Sequence, residues 1–139
     1  MWSNTRLYID IDGVLLTKRP VAAAPGAEAF IHFLTQHFNC FWLTTHCRGD
    51  ARVAVRYVAQ YVDASTLACL QTWQTTDWDT LKTEALHDTT EFYWLDDAPF
   101  VSEQQELERR GLLHRLITVD LARPDELQQL QQLLTRVAR

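Results

Sequence analysis

Short apolar runs alternate with amphipathic segments from one end of the chain to the other. Runs rich in aromatic, leucine and β-branched residues predict strands, at Arg6–Ile11, Cys40–Thr45, Leu67–Trp73, Glu91–Asp96 and Leu113–Val119. Segments with a helical period predict helices, at Pro25–Phe38, Ala51–Val62, Thr80–His87, Val101–Arg110 and Pro124–Val137. This alternation predicts an α/β fold, a mainly parallel five-stranded sheet with helices on both faces.

The composition is that of one globular domain, which we expect to span residues 1–139. Hydrophobic residues make up 47% of the 139 positions and charged residues 22%, which is typical of folded proteins. The net charge of −5 disfavours an extended nucleic-acid groove, although a local basic patch is compatible with it.

The sequence carries no signal for export or for a membrane. Asp10 and Asp12 interrupt the first apolar stretch, Leu7–Leu16, and the apolar core of a signal peptide does not tolerate such charges. The three cysteines lack CxxC spacing, which disfavours a disulfide framework or a zinc site. We therefore expect a cytoplasmic protein with no membrane partner.

Polar residues stand where the predicted strands end. They follow the first, second and fourth strands or open the short helix between them: Asp10, Asp12, Thr44, Thr45, His46, Lys82, Asp96 and Asp97. Ligands of parallel α/β sheets bind outside the carboxyl ends of the strands. We therefore expect these side chains to converge at one edge of the sheet.

The expected cluster of carboxylates requires a counter-charge. Two carboxylates about 4 Å apart repel each other by roughly 4 kcal/mol at an effective dielectric constant of about 20. Mg²⁺ is commonly held by a few carboxylates together with a substrate phosphate, and Lys82 would add a further positive charge. A single Asp-Gly pair is ordinarily a turn, but the joint pattern predicts a magnesium site.

The order of these signals resembles the four motifs of the haloacid dehalogenase (HAD) superfamily. DxDG over Asp10–Gly13 follows a strand, Thr44 follows a second, Lys82 precedes a third, and the acidic pair Asp96–Asp97 ends it. The resemblance covers roughly Leu7 to Pro99. It implies a Rossmann-like three-layer sandwich and a Mg²⁺-dependent phosphatase or phosphotransferase with an aspartyl-phosphate intermediate.

The resemblance assigns the catalytic roles. Asp10 corresponds to the nucleophile, and Asp12 to the general acid and base. Thr44 corresponds to the hydroxyl that binds the transferring phosphoryl group, and Lys82 to the lysine that neutralises nucleophile and phosphate. An acidic residue at the position of Asp12 is typical of the phosphatases of the family, whereas the dehalogenases have no acid there.

The resemblance also implies the metal ligands. Mg²⁺ would be held by the Asp10 carboxylate, the Asp12 carbonyl oxygen and the acidic pair. Of that pair, Asp97 is favoured as the direct ligand and Asp96 as its support.

The candidate substrate contacts beyond the motifs are Thr45, His46 and Arg48. Arg48, Arg52 and Arg56 recur at four-residue spacing, which predicts one helix face. That face is either solvated or a rim that meets distal phosphates of the substrate.

The spacing of the motifs leaves no room for a cap domain. Asp12 and Thr44 are 32 positions apart, and Thr44 and Lys82 are 38 apart; predicted elements fill both intervals. Lys18 and Arg19 lie in the segment that forms a mobile flap in the family. We therefore expect an open site that admits large phosphorylated substrates.

Two segments narrow the expected substrate. Leu43–His46 and Trp94–Pro99 are similar to the HAD domains linked to Swiss Army Knife RNA repair proteins, which implies an RNA or DNA end as substrate. Two alternatives stay open: a catalytically idle HAD-like binding module, and a small-metabolite phosphatase closed by a second subunit. The oligomeric state is left undecided.

Overall fold

A computed structural model describes residues 4–87 and 91–137. The strands in those ranges are β1 (Arg6–Ile9), β2 (Leu16–Lys18), β3 (Val21–Ala23), β4 (Asn39–Trp42), β5 (Phe92–Asp96) and β6 (Leu116–Thr118). The helices are α1 (Ala27–His37), α2 (Ala51–Ala59), α3 (Ala64–Leu70), α4 (Val101–Arg109) and α5 (Glu126–Val137). The α/β class and the mainly parallel sheet are confirmed. The ends of the predicted domain, residues 1–3 and 138–139, lie outside the described residues.

The central sheet has the order β4–β1–β5–β6, and all its pairs are parallel. Ile9 is level with Trp42 on one side and with Leu95 on the other. The residues that follow these three positions therefore emerge together at the carboxyl edge of the sheet. This register brings the first, second and fourth predicted strand ends to one place.

The sheet buries side chains on both faces, because successive residues of a strand point to opposite sides. Leu7 and Ile9 belong to one core with α1, α2, α3 and α5. Tyr8 belongs to a second core, where it meets Trp94 of β5 and Leu107 of α4. Helices therefore cover both faces, as the sequence predicts.

The prediction of a strand at Leu67–Trp73 is wrong. Helix α3 occupies most of that segment, because the Asp63 side chain caps its first turn by accepting a hydrogen bond from the Thr66 amide at 2.8 Å. Such a cap satisfies a backbone donor that a helix start otherwise leaves unpaired. Only Gln74 reaches the sheet, through one parallel bridge to Phe41. The described sheet thus has four strands and a single bridge, where the sequence predicted five strands.

An antiparallel hairpin of β2 and β3 occupies the segment after Asp12, where the sequence analysis predicted no strand. Its strands have three residues each, too short for a clear alternating pattern. The predicted helix Thr80–His87 is only a 3₁₀ turn over Lys82–Ala85. A second such turn, Leu113–Arg115, takes the start of the last predicted strand. Among the described residues, we find no helix with the length and apolar character needed to cross a membrane.

Candidate functional site

Three carboxylates meet at the carboxyl edge of the sheet. One oxygen from each of Asp10, Asp96 and Asp97 lies within 4.8 Å of the other two. Asp10 is 8% exposed and Asp96 is 2% exposed. The Ile11 amide donates to Asp10 Oδ1 at 2.8 Å, and the Ala98 amide donates to Asp96 Oδ1 at 3.0 Å. These backbone hydrogen bonds fix both carboxylates and leave their other oxygens directed at the cluster.

Lys82 supplies a buried positive charge between two of these carboxylates. Its Nζ atom lies 2.7 Å from Asp96 Oδ2 and 3.4 Å from Asp10 Oδ2. Burial opposes the charge of Lys82, but the two carboxylates outweigh burial and raise its pKa. The ammonium group therefore stays charged where it neutralises the proposed nucleophile.

The backbone that carries Lys82 is held by α4. The buried Glu103 accepts hydrogen bonds from the Lys82 amide at 2.7 Å and from the Phe100 amide at 2.9 Å. Arg110 donates to the carbonyl oxygen of Thr83 at 3.2 Å. The sequence analysis missed both supports, although a Glu three residues after a helix start is a recognisable capping signal.

The environment of Asp10 disfavours its negative charge. Burial, and then repulsion from Asp96, raise the pKa of Asp10 to about 7. Lys82, the Ile11 amide and the Thr44 hydroxyl act in the opposite direction. A cation beside Asp10 would favour the charged form, so the cluster is electrostatically suited to bind one.

Thr44 completes the buried floor of the site. Its side chain is fully buried, and its hydroxyl is close enough to Asp10 to lower the pKa of that carboxyl. The same oxygen accepts from the His46 amide at 3.3 Å. Thr44 therefore lies beside Asp10, as expected for a hydroxyl that contacts a transferring group.

Asp97 faces the hairpin. Its Oδ2 atom lies 2.5 Å from Nζ of Lys18, whose side chain is 54% exposed. Gly13 passes directly beneath it, since a Cβ atom added at Gly13 would lie 2.2 Å from Asp97 Oδ2. The glycine of the first motif thus allows Asp97 to approach Asp10, a requirement that sequence reasoning did not recognise.

Asp12 is not one of the three clustered carboxylates, and both of its oxygens have other partners. The Tyr57 hydroxyl donates to Oδ1 at 3.0 Å, and His46 Nε2 lies 2.9 Å from Oδ2. The sequence analysis missed Tyr57, because it lies 45 positions from Asp12. Whether the Asp12 carbonyl oxygen binds a metal stays a prediction.

The other predicted substrate contacts lie outside the carboxylate cluster. Thr45 is exposed. Arg48 donates to the carbonyl oxygens of Trp78 at 2.8 Å and Asp79 at 2.7 Å, and its guanidinium stacks on the Trp78 ring. These contacts tie Arg48 to the loop that contains Trp78 and Asp79, and a substrate contact by Arg48 stays a prediction.

The three arginines predicted to share one helix face do not do so. Helix α2 begins at Ala51 after the capping residue Asp50, so Arg48 lies in the preceding loop. Arg52 and Arg56 both lie on α2 and line a cavity of about 560 Å³, and Arg52 also pairs with Asp50 at 3.1 Å. The four-residue spacing was misleading, because the Asp50 cap starts the helix two residues after Arg48.

An open cavity of about 430 Å³ adjoins the cluster. Gly13, Lys18 and Asp97 line one side, and Arg123 with the loop after β6 lines the other. Access from solvent to Asp97 therefore runs between the hairpin and this loop.

The donor set fits a hard divalent cation, because carboxylate oxygens are the ligands that Mg²⁺ prefers in proteins. Comparison with known proteins adds no assignment: no protein-family model matches the chain, and no curated protein matches it significantly.

Proposed function

We propose that the protein is a Mg²⁺-dependent phosphatase that hydrolyses phosphoric monoesters through an aspartyl-phosphate on Asp10. The observation that carries the proposal is the cluster of the buried Asp10 and Asp96 with the partly exposed Asp97, in which Lys82 lies between the first two. Phosphoryl transfer depends chiefly on positioning and charge neutralisation, and this cluster provides both.

Each residue of the cluster has a chemical role in this proposal. The Asp10 oxygen that faces Lys82 attacks phosphorus, which divides one difficult displacement into two easier steps. Lys82 and the Thr44 hydroxyl stabilise charge on the phosphoryl oxygens. Asp12 protonates the leaving alkoxide and later takes a proton from the attacking water. When bound to the three carboxylates, Mg²⁺ supplies Lewis-acid stabilisation of the phosphoryl charge.

The fold supports a HAD-like interpretation of this chemistry. The hairpin β2–β3 directly follows Asp12 at the position of the family's flap. The acidic pair ends β5, the strand beside β1, and Lys82 lies in the turn before β5. We propose a HAD-like catalytic domain because these elements follow one another in the order of the family's motifs.

We further propose that large phosphorylated substrates, including an RNA or DNA end, reach the site. Within residues 4–87 and 91–137, the intervals on either side of Thr44 hold only the hairpin, three helices, β4 and connecting loops. The Asp97 side chain keeps 17% of its surface exposed, and the adjoining cavity is open. An open site accommodates a bulky leaving group that a cap would exclude.

Hydrolysis of p-nitrophenyl phosphate with Mg²⁺ or with EDTA tests the proposed activity. We expect Mg²⁺-dependent turnover that Asp10→Asn abolishes, since an amide is a poor nucleophile and a poorer ligand. Glu108→Gln, at an exposed position of α4, should retain full activity and controls for the loss of one charge.

A second readout addresses the intermediate. After acid quenching, mass spectrometry should find a phosphoryl adduct on Asp10, and the adduct should accumulate in Asp12→Asn. Mg²⁺ binding without turnover on aryl, alkyl or oligonucleotide phosphates would contradict the proposal and favour an idle binding module.

A further inference from the structure

The side chain of Asp12 is held from two sides. Tyr57 Oη lies 3.0 Å from Oδ1 and His46 Nε2 lies 2.9 Å from Oδ2. The two rings stack on each other, with centroids 4.2 Å apart and planes 19° apart. A carboxylate bonded at both oxygens cannot rotate about its side-chain bonds without losing one partner.

We call Tyr57 and His46 together the Asp12 clamp, and the Tyr57 half of it is carried by a helix. Tyr57 lies on α2, and its ring packs against the core that the helices form beneath the sheet. Tyr61 meets the Tyr57 ring edge-on, with centroids 6.3 Å apart. Partial burial and then the hydrogen bond to Asp12 raise the pKa of Tyr57, so its hydroxyl remains a hydrogen donor at neutral pH.

Orientation is what a proton-transfer residue requires. A general acid has to lie within about 2.6–3.2 Å of the atom that it protonates, and a misplacement of about 1 Å can cost about 10²-fold in rate. Asp12 is exposed enough to rotate toward solvent, since its side chain is 36% exposed. The two ring partners prevent that rotation.

We propose that Tyr57, together with His46, is a positioning residue that holds Asp12 in the orientation required for proton transfer to the leaving group. This inference rests on the proposed phosphatase function. It assigns the His46 ring to Asp12, whereas the sequence analysis expected it to contact substrate. Tyr57 acts through Asp12 and touches no reacting atom.

The test is the dependence of Tyr57→Phe on the leaving group. The variant keeps the ring stack and removes only the hydroxyl. We expect kcat/KM for an alkyl phosphate to fall by about tenfold to 10²-fold, below the ~10²–10⁴-fold ceiling for losing general acid catalysis. For p-nitrophenyl phosphate, whose leaving group needs no proton, kcat/KM should change little.

Two further variants separate positioning from a structural effect. Tyr61→Phe, in the turn that follows α2, should leave kcat/KM for both substrates unchanged. His46→Phe keeps an aromatic ring in the stack, and its effect combined with Tyr57→Phe should be non-additive, because both partners act on one carboxylate.

The outcomes distinguish the two proposals. An equal fall with both substrates, or no fall with the alkyl phosphate, in an active protein would overturn the role of Tyr57 and leave the phosphatase function standing. A wild-type protein without phosphatase activity would overturn the proposed function and the clamp's catalytic role together.

Discussion

Replacement of Gly13 by alanine tests whether the backbone after β1 has to pass close to Asp97. Gly13 has a φ angle of 80°. A Cβ atom added there would lie 2.2 Å from Asp97 Oδ2 and 2.3 Å from its Cγ atom. Gly26 and Gly111 have φ angles of 78° and 75°, yet a Cβ atom at either meets nothing within 4 Å. The three glycines thus share a backbone conformation and differ in steric contact.

This comparison gives the expected magnitudes. A left-handed conformation costs an L-residue about 1–2 kcal/mol, so Gly26→Ala and Gly111→Ala should lose that much stability. Gly13→Ala adds an overlap, and overpacking costs about 1–3 kcal/mol, for a total of about 2–5 kcal/mol. If the Asp97 carboxylate turns away to relieve the overlap, the stability loss will be at the lower end. Mg²⁺ affinity will then fall, because Asp97 will have left the cluster.

Urea unfolding in EDTA and calorimetric titration with MgCl₂ measure the two effects separately. In a variant that also carries Asp97→Ala, the closest contacts are absent, so Gly13→Ala should cost less than it does in the wild-type background. The reasoning is refuted if Gly13→Ala loses no more stability than Gly26→Ala and binds Mg²⁺ as tightly as the wild-type protein.

Two further predictions concern charge. Lys18→Met should tighten Mg²⁺ binding by up to about fivefold in calorimetry, because the Lys18 ammonium competes with Mg²⁺ for Asp97 and an exposed ion pair is worth up to ~1 kcal/mol. Equal tightening in the control variant Arg19→Met would exclude this competition. In EDTA, the free energy of unfolding should fall as the pH rises from about 4 to 7. Burial, and then repulsion from Asp96, raise the pKa of Asp10 from 3.8 to about 7. Between these values the folded state retains a proton that the unfolded chain releases. Asp10→Asn should lack this slope in urea unfolding at about pH 5 and pH 8; an unchanged slope would contradict the assignment.

The convergence of the motifs could be predicted because it depends on strand order and direction alone. Asp10, Thr44 and Asp96 each follow an apolar run, and parallel strands bring such positions to one edge. The register of Ile9 with Trp42 and Leu95 realises this prediction directly. Local patterns therefore suffice for residues whose placement is set by the backbone.

Other features depend on side chains that meet only after folding. The segment Leu67–Trp73 was predicted as a strand, but helix Ala64–Leu70 takes most of it. The Asp63 side chain accepts a capping hydrogen bond from the Thr66 amide, and this cap outweighs a weak β pattern. The pairing of Tyr57 with Asp12 joins residues 45 positions apart. The buried Glu103 supports the Lys82 backbone from 21 positions away. No periodicity within one segment carries such information.

Charge balance at the sheet edge is the physical reason to expect a requirement for a cation. The chain has only two lysines, and both lie against the carboxylates: Lys82 is 12% exposed between Asp10 and Asp96, and Lys18 is 54% exposed beside Asp97. Water and salt screen the exposed pair more than the buried one, so the carboxylates of Asp10 and Asp96 have one weakly screened partner in Lys82 and Asp97 has a strongly screened one in Lys18. A phosphate monoester adds a charge of about −1.5 to −2 at neutral pH, and the cluster would repel it. A small divalent ion that contacts several oxygens at once removes this excess, which is why we expect EDTA to abolish substrate turnover even though both lysines remain in place.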